Sequence, residues 1–82
     1  MNRVRVLFFA TLRDRAGARE LSIDLPDATN VRSLKALLAT RHPALQQLLQ
    51  SVLVSINRQY AFDDDLIPAN GEVAFFPPVS GG

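Results

Sequence analysis

The chain contains 82 residues, of which 48% are hydrophobic and 21% charged, and it has no cysteine. This length and composition predict one small globular domain, and the missing cysteine excludes disulfide frameworks, cysteine-ligated metal sites and cysteine nucleophiles. The formal net charge of +1 does not indicate a polyanionic partner, although residues 1–20 carry five arginines against two acids, which leaves an acidic partner surface open. No apolar run reaches membrane-spanning length and no signal-like segment opens the chain, so we expect a cytoplasmic protein with no membrane or nucleic-acid partner.

The first two predicted elements are strands. Residues 3–9 are β-branched and aromatic and alternate at their start, which predicts a strand with Val4, Val6 and Phe8 facing the core. Residues 21–25 alternate in the same way and end at Pro26. The turn-forming residues between them favour a hairpin connection with one irregular helical turn.

A helix follows the second strand. Asn30 is a suitable N-cap, and the spacing of the apolar residues after it predicts a helix closing near Arg41, because Pro43 disfavours helical geometry at His42. One face of this helix is apolar and is expected to cover a sheet. That face consists of Val31, Leu34, Leu37 and Leu38.

The rest of the chain predicts one more short helical piece and further strands. Leucines at 45, 48 and 49 indicate the helical piece, and residues 52–57 alternate as a third strand. Residues 57–60 can turn into a short edge segment through Phe62, and residues 72–76 form the last strand. This order predicts an α+β fold of the β-grasp type, with a mixed sheet of four to five strands packed against one main helix.

The usual catalytic residue sets are absent from the sequence. His42 is the single histidine, and Asp63, Asp64 and Asp65 lack the spaced ligands of a calcium loop, so we expect a helix end and a solvated turn there. No glycine-rich phosphate-binding loop precedes the helix. The sequence therefore predicts no bound cofactor, no metal site and no enzyme activity of the chain by itself.

The last six residues have an unusual composition. Pro77 and Pro78 fix the backbone and remove two donors, which favours a stiff extension leaving the sheet. Gly81 and Gly82 present bare backbone and a free carboxylate, narrow enough to enter a tunnel. We divide the chain into a globular body, residues 1–76, and a C-terminal arm, residues 77–82, although untidy chain ends are common.

Two segments carry a resemblance that spans the whole chain. They are Val6-Leu7-Phe8-Phe9-Ala10-Thr11-Leu12-Arg13, followed by Gly17, and Glu72-Val73-Ala74-Phe75-Phe76-Pro77-Pro78-Val79-Ser80-Gly81-Gly82. Together they resemble the small sulfur-carrier subunit of molybdopterin synthase, the MoaD family, a ubiquitin-like β-grasp. A terminal Gly-Gly also occurs in other ubiquitin-like proteins and is therefore a weak signal. The Phe-Phe-Pro-Pro run joined to it is much more specific for this family.

The resemblance implies a sulfur carrier in molybdenum cofactor biosynthesis. An E1-like adenylyltransferase would use ATP to convert Gly82 to an acyl-adenylate, and a sulfurtransferase would supply the sulfur of a thiocarboxylate. Gly81 would help the arm to thread into the large catalytic subunit. There the thiocarboxylate would donate sulfur to cyclic pyranopterin monophosphate on the way to the molybdopterin dithiolene. Two carriers would flank a dimer of large subunits, as a heterotetramer.

Alternation of the first and last strands predicts where a partner docks. If Val73 and Phe75 face inward, Phe76 faces outward beside an outward Phe9, and the two would form an apolar surface. By resemblance, Arg13 and Tyr60 are expected at its rim. The arm residues before the terminal glycines complete the expected interface, namely Pro77, Pro78, Val79 and Ser80.

Three alternatives to the carrier subunit stay open. A ubiquitin-like protein modifier would share the activation chemistry and join Gly82 to lysines. A thiamine-pathway sulfur carrier is the nearest relative by the resemblance, and the Phe-Phe-Pro-Pro run argues against it. An RNA-binding β-grasp module is disfavoured by the near-neutral charge.

Overall fold

The computed structural model describes residues 2–78 and shows a five-stranded mixed sheet with one main helix. The strand order is β2-β1-β5-β3-β4, and β1 and β5 are parallel while the other neighbours are antiparallel. The predicted β-grasp architecture is therefore confirmed. The elements are β1 (Asn2–Phe8), α1 (Thr11–Ala16), β2 (Glu20–Leu25), α2 (Val31–Arg41), two 3₁₀ turns (Pro43–Leu45 and Leu48–Ser51), β3 (Leu53–Ile56), β4 (Gln59–Ala61) and β5 (Glu72–Phe76).

The connection between β1 and β2 contains more helix than predicted. Where one irregular turn was expected, α1 is a six-residue α-helix. Leu12 is completely buried in the core, and Gly17 ends the helix in the left-handed region at φ 71°, with its N–H donating to the Arg13 carbonyl over 3.0 Å. One buried leucine and a glycine cap are enough to fix a helix too short to show apolar periodicity.

Helix α2 begins and ends where the sequence predicts. The Asn30 side chain caps it by accepting from the Ser33 N–H at 2.9 Å, and His42 caps its C-terminus directly before Pro43. Val31, Leu34 and Leu38 are completely buried, whereas Leu37 is half-buried at the margin of the apolar face. Where the sequence predicts a single helical piece after α2, the structure contains two short 3₁₀ turns.

The core lies between α2 and the inner face of the sheet. The inner-face residues share the period-two pattern predicted for β1 and β5. They are Val4, Val6, Phe8, Ile23, Leu25, Val54, Val73 and Phe75. The 3₁₀ turns close one side of this core with Leu45 and Leu49, and Ile67 of the β4–β5 loop is also buried in it.

The bounds of four strands differ slightly from prediction. β1 spans Asn2–Phe8 instead of residues 3–9, and β2 begins at Glu20 instead of Leu21. The third strand spans Leu53–Ile56 instead of residues 52–57, and the edge strand ends at Ala61. A two-residue turn joins β3 to β4 through Asn57 and Arg58. Within residues 2–78, no helix is long and apolar enough to cross a membrane.

Candidate functional site: the open face of the sheet

The face of the sheet opposite α2 carries one continuous row of side chains across all five strands. Leu7 of β1 pairs with Glu20 and with Ala74, and Ser55 pairs with Ala74 and with Tyr60. Because side chains alternate along each strand, paired residues lie on the same face. We call this surface, centred on Leu7, Phe9, Ser55, Ala74 and Phe76, the open face.

An aromatic pair occupies the end of the open face from which the C-terminal arm departs. The rings of Phe9 and Phe76 stack with centroids 4.6 Å apart and an interplanar angle of 10°. Phe9 is 42% exposed and Leu53, the β3 partner of Phe76, is 38% exposed. Exposed apolar groups gathered in this way are typical of interaction surfaces.

The centre of the open face is a depression with a floor of small side chains. Ala74 is 4% exposed and Ser55 is 9% exposed, although both lie opposite the core. The larger groups around them therefore form the walls of a cavity of about 840 Å³. A partner side chain can enter this depression and bury apolar area there.

The far end of the open face is charged and internally paired. Arg5 donates to Glu72 at 2.8 Å and lies 3.7 Å from Glu20, and Arg3 donates to Asp24 at 3.1 Å. The hydrogen bond and charge of Arg3 lower the pKa of the Asp24 carboxyl. Such exposed pairs contribute little stability, but they neutralise this end of the face.

Three further arginines line the cavity without a carboxylate partner. Arg13 lies on α1, Arg19 directly precedes β2, and Arg58 lies in the β3–β4 turn. None of the three forms an ion pair with another residue in the range 2–78. The cavity therefore combines an apolar end, a small-residue floor and a positively charged rim.

Comparison with known proteins places the chain in a family. The ThiS family profile matches residues 6–82. The chain belongs to the ThiS family.

The curated relatives and solved structures agree with this placement. The curated molybdopterin synthase sulfur carrier subunit from Chlamydomonas reinhardtii is 33% identical, and the match covers 96% of this chain and 98% of that protein. The curated subunit of the same name from Escherichia coli is 36% identical, and the match covers 96% of this chain and 99% of that protein. The H. volcanii small archaeal modifier protein 1 superposes with a TM-score of 0.86 at 26% identity, over 96% of this chain and all of that one. A chain of the complex of subunits 1 and 2 of the Helicobacter pylori molybdopterin-converting factor shares the fold alone, at 21% identity and a TM-score of 0.69 over 98% of this chain and 99% of that one.

For this member of the ThiS family, the structure brings four predicted interface residues together. Phe9, Phe76, Arg13 and Tyr60 all line the cavity, and Tyr60 is 79% exposed. Their contact with a partner stays a prediction.

The predicted arm begins next to this group. Pro77 is half-buried and Pro78 is exposed, and both directly follow Phe76 at the end of β5. The predicted site residues Val79, Ser80, Gly81 and Gly82 lie outside the residues that the structure describes. β5 thus connects the open face to the arm without an intervening element.

The sequence analysis missed Leu53, Ser55, Arg19 and Arg58 as site residues. The alternation of residues 52–57 contained the signal for Leu53 and Ser55, because both are out of phase with the inward Val54. The position of Arg58 depends on pairing between distant strands, and Arg19 reaches the cavity only because β1 and β2 form a hairpin. The sequence predicts the turn and the hairpin that contain these two arginines, but no local pattern shows that their side chains reach the cavity.

The three aspartates stabilise the β4–β5 loop. Asp63 accepts from Lys35 at 2.8 Å and Asp64 lies 2.8 Å from Arg32, so both tie the loop to α2. Asp65 accepts from the Phe62 N–H at 2.7 Å. The hydrogen bond from Lys35 lowers the pKa of Asp63. This run is a paired turn, and among residues 2–78 no group of three or more His, Cys, Asp or Glu is positioned to hold a metal.

Proposed function

We propose that the chain is the sulfur-carrier subunit of molybdopterin synthase and that Gly82 carries the sulfur as a thiocarboxylate. The observation that supports this most is similarity along nearly the whole chain to curated carrier subunits, at 33% and 36% identity. The sequence ends in the Gly-Gly that such chemistry requires, and β5 leads from the open face into the arm. Docking on the open face would therefore direct the arm into the partner.

The proposed chemistry follows from the reactivity of a carboxylate. A free carboxylate is a poor electrophile, so the Gly82 carboxylate first attacks the α-phosphorus of ATP on an E1-like adenylyltransferase, releasing pyrophosphate. Hydrosulfide, released from a sulfurtransferase persulfide by a thiol reductant, then attacks the acyl carbon, displaces AMP and leaves the thiocarboxylate. The chain has no cysteine, so its sulfur cannot travel as a persulfide on its own thiol.

The carrier's own residues contribute binding and positioning. Phe9 and Phe76 offer apolar area for docking, and Pro77 and Pro78 restrict the backbone that follows them. Sulfur donation to cyclic pyranopterin monophosphate then takes place on the large subunit, which supplies the acid–base groups. The complex is proposed as a heterotetramer in the cytoplasm, with two carriers on a dimer of large subunits.

Intact mass spectrometry tests the chemical claim. The purified chain with an untagged C-terminus is incubated with the adenylyltransferase, ATP and a sulfur donor. We expect a mass increase equal to one oxygen replaced by sulfur, and no increase when ATP is omitted or when the variant lacking Gly82 is used. An unchanged mass with active enzymes would contradict the proposal.

A second experiment distinguishes the carrier subunit from a protein modifier. The structural similarity to an archaeal modifier makes this the alternative to test. Conjugates between Gly82 and lysines, detected in cell extract as isopeptide-linked peptides, together with no transfer to the pterin substrate, would replace the carrier function by modification. Transfer to the pterin without conjugates supports the carrier.

A further inference from the structure

Arg58 occupies a backbone position that favours glycine. The hairpin between β3 and β4 closes at the Ile56–Gln59 pair, and its two loop residues, Asn57 and Arg58, have φ of 50° and 70°. Two-residue loops with positive φ at both positions match the type I′ turn, for which Asn-Gly is strongly preferred. An arginine at the second position is strained there, because its Cβ approaches the backbone.

The turn does not depend on Arg58 for its shape. The Asn57 N–H donates to the Glu72 carbonyl at 2.8 Å, and the Asn57 side chain accepts from the Glu72 N–H at 2.9 Å. These two bonds fix the turn to β5. Among residues 2–78, the Arg58 side chain makes no hydrogen bond or ion pair that would offset the strain.

The Arg58 side chain instead lies at the cavity on the open face. Four other cations, Arg3, Arg5, Arg32 and Lys35, have a carboxylate within 4.0 Å. Arg58, Arg13 and Arg19 line the cavity, and in the described part of the chain no carboxylate pairs with them. Three of the five arginines that have no carboxylate partner among residues 2–78 therefore line the cavity that a partner would cover, and the other two, Arg15 and Arg41, lie outside it.

We propose that the open face binds a protein surface that places carboxylates opposite Arg13, Arg19 and Arg58, and that Arg58 is retained at a strained turn position for this contact. The inference rests on the proposed function, because it describes the partner surface that the carrier meets. A protein fits better than a nucleic acid because the net charge of the chain is only +1.

The test combines stability and affinity for one substitution. Arg58→Gly removes the strained side chain, so the denaturation midpoint should rise, while affinity for the large subunit encoded by the same genome should fall roughly two- to fivefold. Arg58→Lys should retain most of the affinity. Arg41→Gln, which removes one charge at the end of α2, is the matched control and should leave affinity unchanged.

Salt dependence gives the second readout. Association of the wild-type chain should slow as salt increases, and the slope should be smaller for the Arg13, Arg19 and Arg58 triple glutamine variant. Unchanged affinity and salt slope in the arginine variants, with wild-type binding intact, would overturn the acidic-partner inference and leave the carrier function standing. Displacement of the large subunit by single-stranded RNA would also overturn it. A wild-type chain that accepts no sulfur and binds no large subunit would contradict the carrier function, and the inference would fall with it.

Discussion

Two phenylalanine pairs bridge the same two strands and face opposite sides of the sheet. Phe8 and Phe75 have centroids 6.1 Å apart at 18°, and they are 2% and 0% exposed. Phe9 and Phe76, one residue further along each strand direction, stack at 4.6 Å, with Phe9 42% exposed. The inner pair packs within the core, whereas the outer pair lies on the open face.

We propose that this difference separates residues that stabilise the fold from residues that dock a partner. Truncating the inner pair removes packing contacts that stabilise the folded chain. Truncating the outer pair removes exposed apolar area, which contributes binding free energy only when a partner covers it. Because the pleat has a period of two, no intermediate arrangement exists: shifting the register by one residue would exchange the two roles.

The largest functional effect is expected beyond both pairs. Deleting Gly81 and Gly82 should abolish sulfur transfer, because the reacting carboxyl is lost. The denaturation midpoint should stay nearly unchanged, because the buried apolar residues that the structure describes extend from Val4 to Phe75. Thermal denaturation and a transfer assay check both statements. A deletion variant that unfolds would contradict this division between body and arm.

The largest stability effect is expected for the inner pair. Phe75→Ala should lower the free energy of unfolding by about 3 to 5 kcal/mol, a large part of the roughly 5 to 15 kcal/mol of a small domain. Chemical denaturation measures it. The control Phe75→Leu keeps most of the volume and should cost clearly less. Equal losses for Phe75→Ala and Phe76→Ala would contradict the assignment of faces.

An intermediate effect is expected at the start of α2, whose buried residues belong to the same core as the inner pair. Asn30→Ala removes the acceptor for the Ser33 N–H and should cost about 1 kcal/mol. Asn30→Asp keeps an acceptor and should restore most of the stability. Because Asn30 caps α2 on the side of the sheet opposite the open face, affinity for the partner should be equal in all three proteins. A loss of affinity in parallel with stability would contradict the distinction between residues that stabilise the fold and residues that bind a partner.

The smallest effect is the pH dependence of the loop tied to α2. Lys35 lowers the pKa of Asp63 below the value of about 3.9 for a free aspartate, so the pair stabilises the fold above that pH and loses its effect as pH falls through the folded-state pKa. Both groups are partly exposed, so the contribution should be about 1 kcal/mol or less. Unfolding free energies measured from neutral to acidic pH should fall less for Asp63→Asn than for the wild type. Identical profiles would show that the pair is irrelevant to acid stability.

Much of the fold follows from local sequence. The inward phase of Val4, Val6 and Phe8, the Asn30 cap and the end of α2 before Pro43 are local signals, and the structure confirms each of them. The proximity of Phe9 and Phe76 was inferred from the β-grasp strand order, which places β5 beside β1. Local periodicity and the correct strand order were together sufficient to predict that Phe9 and Phe76 lie side by side on the open face.

The charged rim and the cavity floor could not be predicted in the same way. Ala74 lies out of phase with the inward Val73 and Phe75, but its burial depends on the bulk of side chains from neighbouring strands. The exposure of Arg58 to the cavity depends on a turn fixed by two bonds between Asn57 and Glu72, which are 15 positions apart in sequence. These features arise from contacts between strands that are distant in sequence, and the alternation of residues within one strand does not predict such contacts.

The separation of a folding pair from a docking pair is tested most directly by titrating the large subunit with Phe76→Ala, using Phe62→Ala as the control. Phe62 is 77% exposed but does not line the cavity, so it matches Phe76 in residue type and differs in location. We expect Phe76→Ala to weaken binding by about 2 kcal/mol or more while its unfolding free energy changes little, and Phe62→Ala to bind like the wild type. Wild-type affinity for Phe76→Ala, or an equal loss for both variants, would contradict docking through the open face.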